Sequence, residues 1–151
     1  MMSKPFKHQS QMLGSVQALV DFHADPRALS QLSMPPTFIQ VLRDKRTSLT
    51  AGRITFRLWL GPLPVCWVAE HAPGPTETSF TDRMVEGPMA QWEHQHIFEA
   101  VEGGAVLVDR IAIAHKPGFV GLFTRLVFDG LPLRILFIYR HWRTRRALRG
   151  A

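Results

Sequence analysis

A single cysteine, Cys66, is present in 151 residues. That excludes an intrachain disulfide framework and fits a reducing compartment, so the expected location is cytoplasmic. On a strand, such a lone cysteine reads as a small core residue. The first residues, Met1 to Lys7, lack the apolar run of a signal peptide. No long hydrophobic run occurs either: the most apolar segment, Phe119 to Tyr139, is interrupted by Arg125, Asp129, Pro132 and Arg134, which makes it a poor membrane span. Internal repeats, low-complexity tracts and linkers are also missing, which points to one domain over 1–151. Acidic residues are the scarcer charge, 12 against 18 Lys and Arg, and the net +6 favours acidic partners. No aromatic-rich basic motif of an RNA module is present, so no nucleic acid is expected.

What the chain does have is alternation. Val16, Leu19, Val20 and His23 first fall at helical spacing behind a Ser15 cap. Asp25-Pro26 then restarts the chain as a short second helix carrying Leu29 and Leu32, with Asp25 as its cap. From Phe38 onward the pattern is mostly strand. Ile54, Phe56, Leu58 and Leu60 alternate with polar neighbours, and Val65, Trp67 and Ala69 continue that face after the Gly61-Pro62 turn. Parity puts Trp67 inside and Trp59 outside. After Lys116-Pro117-Gly118 a long helical pattern runs through Leu122, Leu126, Leu133 and Phe137, with Pro132 expected to kink it. Its basic end, Arg140 to Arg149, reads as a solvated last turn that suits the helix dipole.

The segment Phe80 to Ile113 concentrates the polar chemistry. Trp92, His94, His96 and Phe98 share one face of a strand. Glu102-Gly103 at a hairpin centre sets His96 opposite Asp109 and Phe98 opposite Leu107. Folding at Gly87-Pro88 sets Asp82 opposite His94 and Phe80 opposite His96. Buried charge must be paired or wet, so this face is the candidate site. His94, His96, Asp82 and Asp109 are the candidate catalytic residues, as His–Asp acid/base pairs. His-x-His also has metal-ligand spacing, but no cysteine or telling third histidine accompanies it, and neither metal nor cofactor is expected. The plainer reading makes each histidine a wall residue, locked by its aspartate and holding the hairpins in register.

These residues and their spacing resemble the SRPBCC superfamily, the START-like, helix-grip group that contains polyketide cyclase/dehydrases and coenzyme Q-binding proteins. The resemblance is carried by Phe22-His23-Ala24-Asp25-Pro26 with Leu29, by Leu63-Pro64 before Trp67, and by Phe80-Thr81-Asp82 leading to Gly87-Pro88. Trp92 through Phe98, Gly103-Gly104 and Asp109-Arg110 complete it, so it spans roughly Phe6 to Arg146. It implies an α+β helix-grip fold of order β-α-α-β6-α, in which a curved antiparallel sheet wraps a long C-terminal helix around a cavity. A small apolar or amphipathic molecule (lipid, polyketide or quinone-like) is the implied ligand. Ala105 departs from the family, where a threonine usually follows the glycines.

Expected ligand contacts are Phe56, Leu58, Trp67, Phe80, Asp82 and Met84 from the first strands. Trp92, His94, His96, Asp109, Ile111 and Leu126 are expected from the later elements. The runner-up function is a cyclase/dehydratase-like enzyme. A third is a module that docks a partner or a membrane surface through the C-terminal helix and its basic tail: part of that helix, with Phe128, Leu131 and Phe137, is expected to be exposed for self-association or peripheral membrane contact.

Overall fold

The computed structural model describes residues 5–149. The single-domain expectation over 1–151 therefore extends past the described residues at both ends. Seven strands form one antiparallel sheet in the order β1-β7-β6-β5-β4-β3-β2. The strands are β1 (Phe6–Met12), β2 (Phe38–Asp44), β3 (Gly52–Leu60), β4 (Leu63–Pro73), β5 (Ser79–Glu86), β6 (Gln91–Val101) and β7 (Gly104–Ala114). Two short helices, α1 (Val16–Ala24) and α2 (Ala28–Gln31), carry the chain from one edge of the sheet to the other. Ser15 caps α1 by accepting from the Ala18 N–H at 3.1 Å. Asp25 differs from expectation. It closes α1, and its carboxylate accepts from the Arg27 backbone N–H at 2.8 Å, so α2 begins only at Ala28.

Strand parity is as the alternation requires. Ile54, Phe56, Trp67 and Ala69 are buried on one face. Trp59 points the other way, stacking on Phe38 and donating its indole N–H to Gln40 at 3.0 Å. Cys66 is on that outer face and exposed, so it is not the small core residue its isolation suggested. The β6–β7 hairpin turns through Glu102 and Gly103, with Gly103 at φ 84°. Gly104 has a separate reason to be glycine: a Cβ there would lie 2.0 Å from the Met12 carbonyl oxygen, on the strand that closes the sheet edge.

The C-terminal pattern is two helices rather than one kinked helix: α3 (Gly118–Phe128) and α4 (Gly130–Arg149). The break falls at Asp129-Gly130, not at Pro132. Gly130 is left-handed at φ 58°, and Asp129 Oδ2 accepts from His115 Nε2 at 2.7 Å, which pins the break to the end of β7. Pro132 sits in the first turn of α4, where its missing N–H has no helical partner to lose. The buried stripe of α4 is Leu133, Phe137, His141, Thr144 and Leu148. Phe128 and Phe137 are thus core residues, against the expectation of exposure, because they are the sheet-facing members of their helices. Leu131 is exposed as expected.

Two apolar clusters result. One joins Ile54, Trp67, Trp92 and Ile113 to Phe128, Leu133 and Phe137, which places the helices on the concave face. The other joins Met12, Leu19, Phe80, Phe98 and Leu107 to Leu148.

Candidate functional site: a cavity floored by a histidine–aspartate layer

A cavity of about 460 Å³ opens between the concave face of the sheet, α2 and the α3–α4 junction. Its walls are apolar, led by Leu29, Ile54, Phe56, Leu58, Trp67 and Trp92. The Trp67 and Trp92 rings meet edge to face at 5.5 Å, and Phe128 closes on both. His71, Asp82 and His94, cross-strand neighbours on β4, β5 and β6, make a polar end together with Arg46 and Arg140, while Ser33 and Thr37 add hydroxyls from the α2–β2 connection. Arg46 is already paired with Asp44 at 2.7 Å. Arg140 places its guanidinium 5.3 Å from the Phe137 ring centre and, among the described residues, forms no ion pair. Burial lowers its pKa, and the negative charges of Asp109 and Asp82 offset part of that cost.

Beneath that polar end lies the layer built by β5, β6 and β7. Asp82 is directly opposite His94, and His96 is opposite Phe80 on one side and Asp109 on the other. The hydrogen bonds, however, run diagonally. His94 donates from Nε2 to Asp109 Oδ1 at 2.6 Å, and His96 donates from Nε2 to Asp82 Oδ2 at 2.6 Å. The directly opposed pairs are longer, 3.6 Å from His94 Nδ1 to Asp82 and 3.3 Å from His96 Nδ1 to Asp109. Each imidazole leans along its strand, and the two rings stack with centres 3.6 Å apart.

The helix completes the layer. His141 of α4 donates from Nε2 to Asp109 Oδ2 at 2.6 Å, and its Nδ1 lies 2.5 Å from the Ser10 hydroxyl of β1. Both oxygens of Asp109 are therefore filled. His141 was missed in the sequence because it stands inside a run of arginines. The usable signal was its place four residues after Phe137 and eight after Leu133, on the buried stripe.

Electrostatics follow from burial and pairing. Burial opposes the charge of Asp109, but the His94 and His141 imidazoles and their N–H donors hold its carboxyl well below the usual range. Asp82 is lowered in the same way: burial opposes its charge, and His94 and the His96 hydrogen bond outweigh it. Burial, reinforced by the neighbouring His94, lowers His96 to about 3, so its ring is neutral near pH 7. Its Nδ1 is buried without a hydrogen-bond partner. His23 of α1, edge-on to His96 and tilted against Phe98, is lowered to about 4 by burial.

The expected contacts therefore divide. Phe56, Leu58, Trp67, Asp82, Trp92 and His94 border the cavity. Phe80, Met84, His96, Asp109 and Ile111 are buried behind its surface, Phe80 lying flat on His96 at 4.2 Å. Leu126 is corrected: it is 68% exposed on the outer side of α3, and Val127 and Phe128 take the inward positions. Asp82, His94 and His96 bring ligand-type atoms within 4.8 Å of one another. Their shortest contact is already a hydrogen bond, so an ion there would have to open it.

A curved antiparallel sheet gripping a C-terminal helix over an apolar cavity defines a class, the helix-grip proteins. The chain has the SRPBCC-type, START-like form of that fold. It superposes on a START superfamily protein from Mycobacterium smegmatis with TM-score 0.71 at 9% identity, covering 98% of this chain and 99% of that one. For norcoclaurine synthase from Thalictrum the TM-score is 0.68 at 11% identity, covering 99% and 96%. For the Zhui aromatase/cyclase from a Streptomyces species it is 0.63 at 14% identity, covering 99% and 93%. No protein-family profile matches the sequence, and no curated protein matches it.

Proposed function

We propose that the protein binds an apolar or amphipathic small molecule in this cavity. The observation that carries the reading is the cavity itself: about 460 Å³, walled mostly by aromatic and aliphatic side chains, with its ionisable groups gathered around the neighbouring His71, Asp82 and His94. That volume and that division of surface suit a single small ligand held by apolar contact and oriented by a few polar groups. The apolar body lies against Phe56, Leu58, Trp67 and Trp92, and the polar group faces Arg140 and Asp82. Arg140 offers N–H donors that no carboxylate among the described residues occupies, and Asp82 has a carboxylate oxygen beyond the one used by His96.

The acid/base reading rests on His94 and Asp82 bordering the same cavity. It is the weaker one. His94 spends Nε2 on Asp109 and turns Nδ1 toward Asp82, and a carboxyl held well below its ordinary pKa is a poor general base. Native mass spectrometry of the gently purified protein tests the binding reading. An added mass that disappears on organic extraction, together with quenching of Trp67 and Trp92 fluorescence when an apolar probe is returned, is expected. A protein that carries nothing and takes up no apolar probe refutes it.

A further inference from the structure

The outer faces of α3 and α4 carry a second pattern. Leu131, Ile135, Ile138 and Trp142 follow one another at helical spacing and are all 46–66% exposed. On α3, Phe119, Leu122 and Leu126 do the same, Phe119 at 90%. Helices of a monomer rarely leave so continuous an apolar stripe in water. None is long and apolar enough to cross a membrane among the described residues.

Charge identifies what covers the stripe. Residues 116–151 hold eight Lys and Arg and one acidic residue, Asp129, whereas residues 1–115 hold ten and eleven. The whole positive excess of the protein thus belongs to these two helices. Arg134, Arg146 and Arg149 are exposed on α4, and Arg149 continues the line of Trp142 two turns on. Trp142 is flanked by the Tyr139 ring at 5.8 Å and by the Arg146 guanidinium at 5.5 Å. Trp142, Arg145, Arg146 and Arg149 together line a separate recess of about 310 Å³. A second copy of the chain would set this cationic face against itself, so self-association is disfavoured on this surface.

We propose that the outer face of α3 and α4 docks on an anionic lipid bilayer, with the apolar stripe entering the interface and the recess at Trp142 taking a lipid phosphate. An apolar stripe, an interfacial tryptophan and flanking arginines are the composition that lies in a membrane surface without crossing it. Ile135 belongs to both the stripe and the wall of the large cavity, so the docked face borders the cavity's mouth. The docking does not depend on what the cavity holds.

Vesicle co-sedimentation of the full chain tests it, with phosphatidylcholine vesicles and with 3:1 phosphatidylcholine:phosphatidylglycerol vesicles. Binding to the anionic vesicles is expected, weakening about fivefold for each of Arg145→Gln and Arg149→Gln. The pair Leu131→Gln and Ile138→Gln, both away from the large cavity, is expected to weaken it about tenfold or more with unchanged circular dichroism and Tm. No binding to anionic vesicles overturns the proposal. So does binding that is indifferent to the Leu131 and Ile138 changes, which is charge adsorption alone. Sedimentation velocity gives the remaining outcome: a dimer that these two changes dissolve makes the face a self-interface and also overturns it.

Discussion

His141 Nε2 and Asp109 Oδ2 lie 2.6 Å apart, and this contact fastens the C-terminal helix to the sheet through a buried charge. Both residues are under 4% exposed, and Asp109 receives its second hydrogen bond from His94. A carboxylate in that setting is tolerable only while both donors are present. Asp109→Asn, which turns an acceptor into a donor facing an imidazole N–H, is expected to destabilise the fold by about 3 kcal/mol. His141→Ala should come close to it, and the double variant should cost less than the sum. Urea denaturation of the three variants measures this. Simple additivity would mean that the two residues act apart.

Stability should also fall in mild acid. His23 and His96 have folded pKa values lowered from 6.5 to about 4 and about 3, so the unfolded chain binds protons first. Their contribution is complete above the unfolded pKa and is lost as pH falls from about 6.5 through the folded values. For His23 alone the loss by pH 4 amounts to roughly 3 kcal/mol. Below about pH 4 the lowered Asp82 and Asp109 add a second loss of the same sign. Denaturation midpoints across pH 4–8 check the slope, and His23→Leu should flatten its upper part.

Leu58 points into the cavity from β3 and is not part of the polar layer. Leu58→Trp should fill space that a ligand needs and weaken binding of an apolar fluorescent probe about tenfold, with Tm nearly unchanged. Titration followed by fluorescence decides it. Unaltered affinity would place the probe outside the cavity.

Asp129 joins α3 and α4 to the end of β7 through His115, whose Nδ1 lies 2.8 Å from the Thr124 hydroxyl. The His115 side chain is wholly buried. Asp129→Ala leaves its Nε2 without that partner and is expected to cost about 1–3 kcal/mol. Faster hydrogen exchange in α3 than in β6 should accompany the loss.

Much of this was legible in the sequence because strands have a strict period. Once Glu102-Gly103 was the hairpin centre, every opposition between β6 and β7 followed, including His96 with Asp109. The turn at Gly87-Pro88 did the same for Asp82 and His94. Backbone register does not say which way a side chain leans, so the diagonal hydrogen bonds could not be read from it. The α4 face was harder. Arginines outnumber apolar residues near its end, and their charge hid the buried line through His141 and Leu148. The break at Asp129-Gly130 was hidden by Pro132, the stronger local signal, which a first helical turn accommodates at no hydrogen-bonding cost.

The layer of His94, His96, Asp82 and Asp109 comes from β5 to β7, whereas much of the apolar cavity wall comes from β3 and β4. Much of the apolar wall and the polar floor are therefore written in different hairpins. Positions such as Leu58 and Leu60 can be exchanged to recut the chamber while the polar floor keeps its geometry, so a protein of this design can change its guest without renegotiating how it folds.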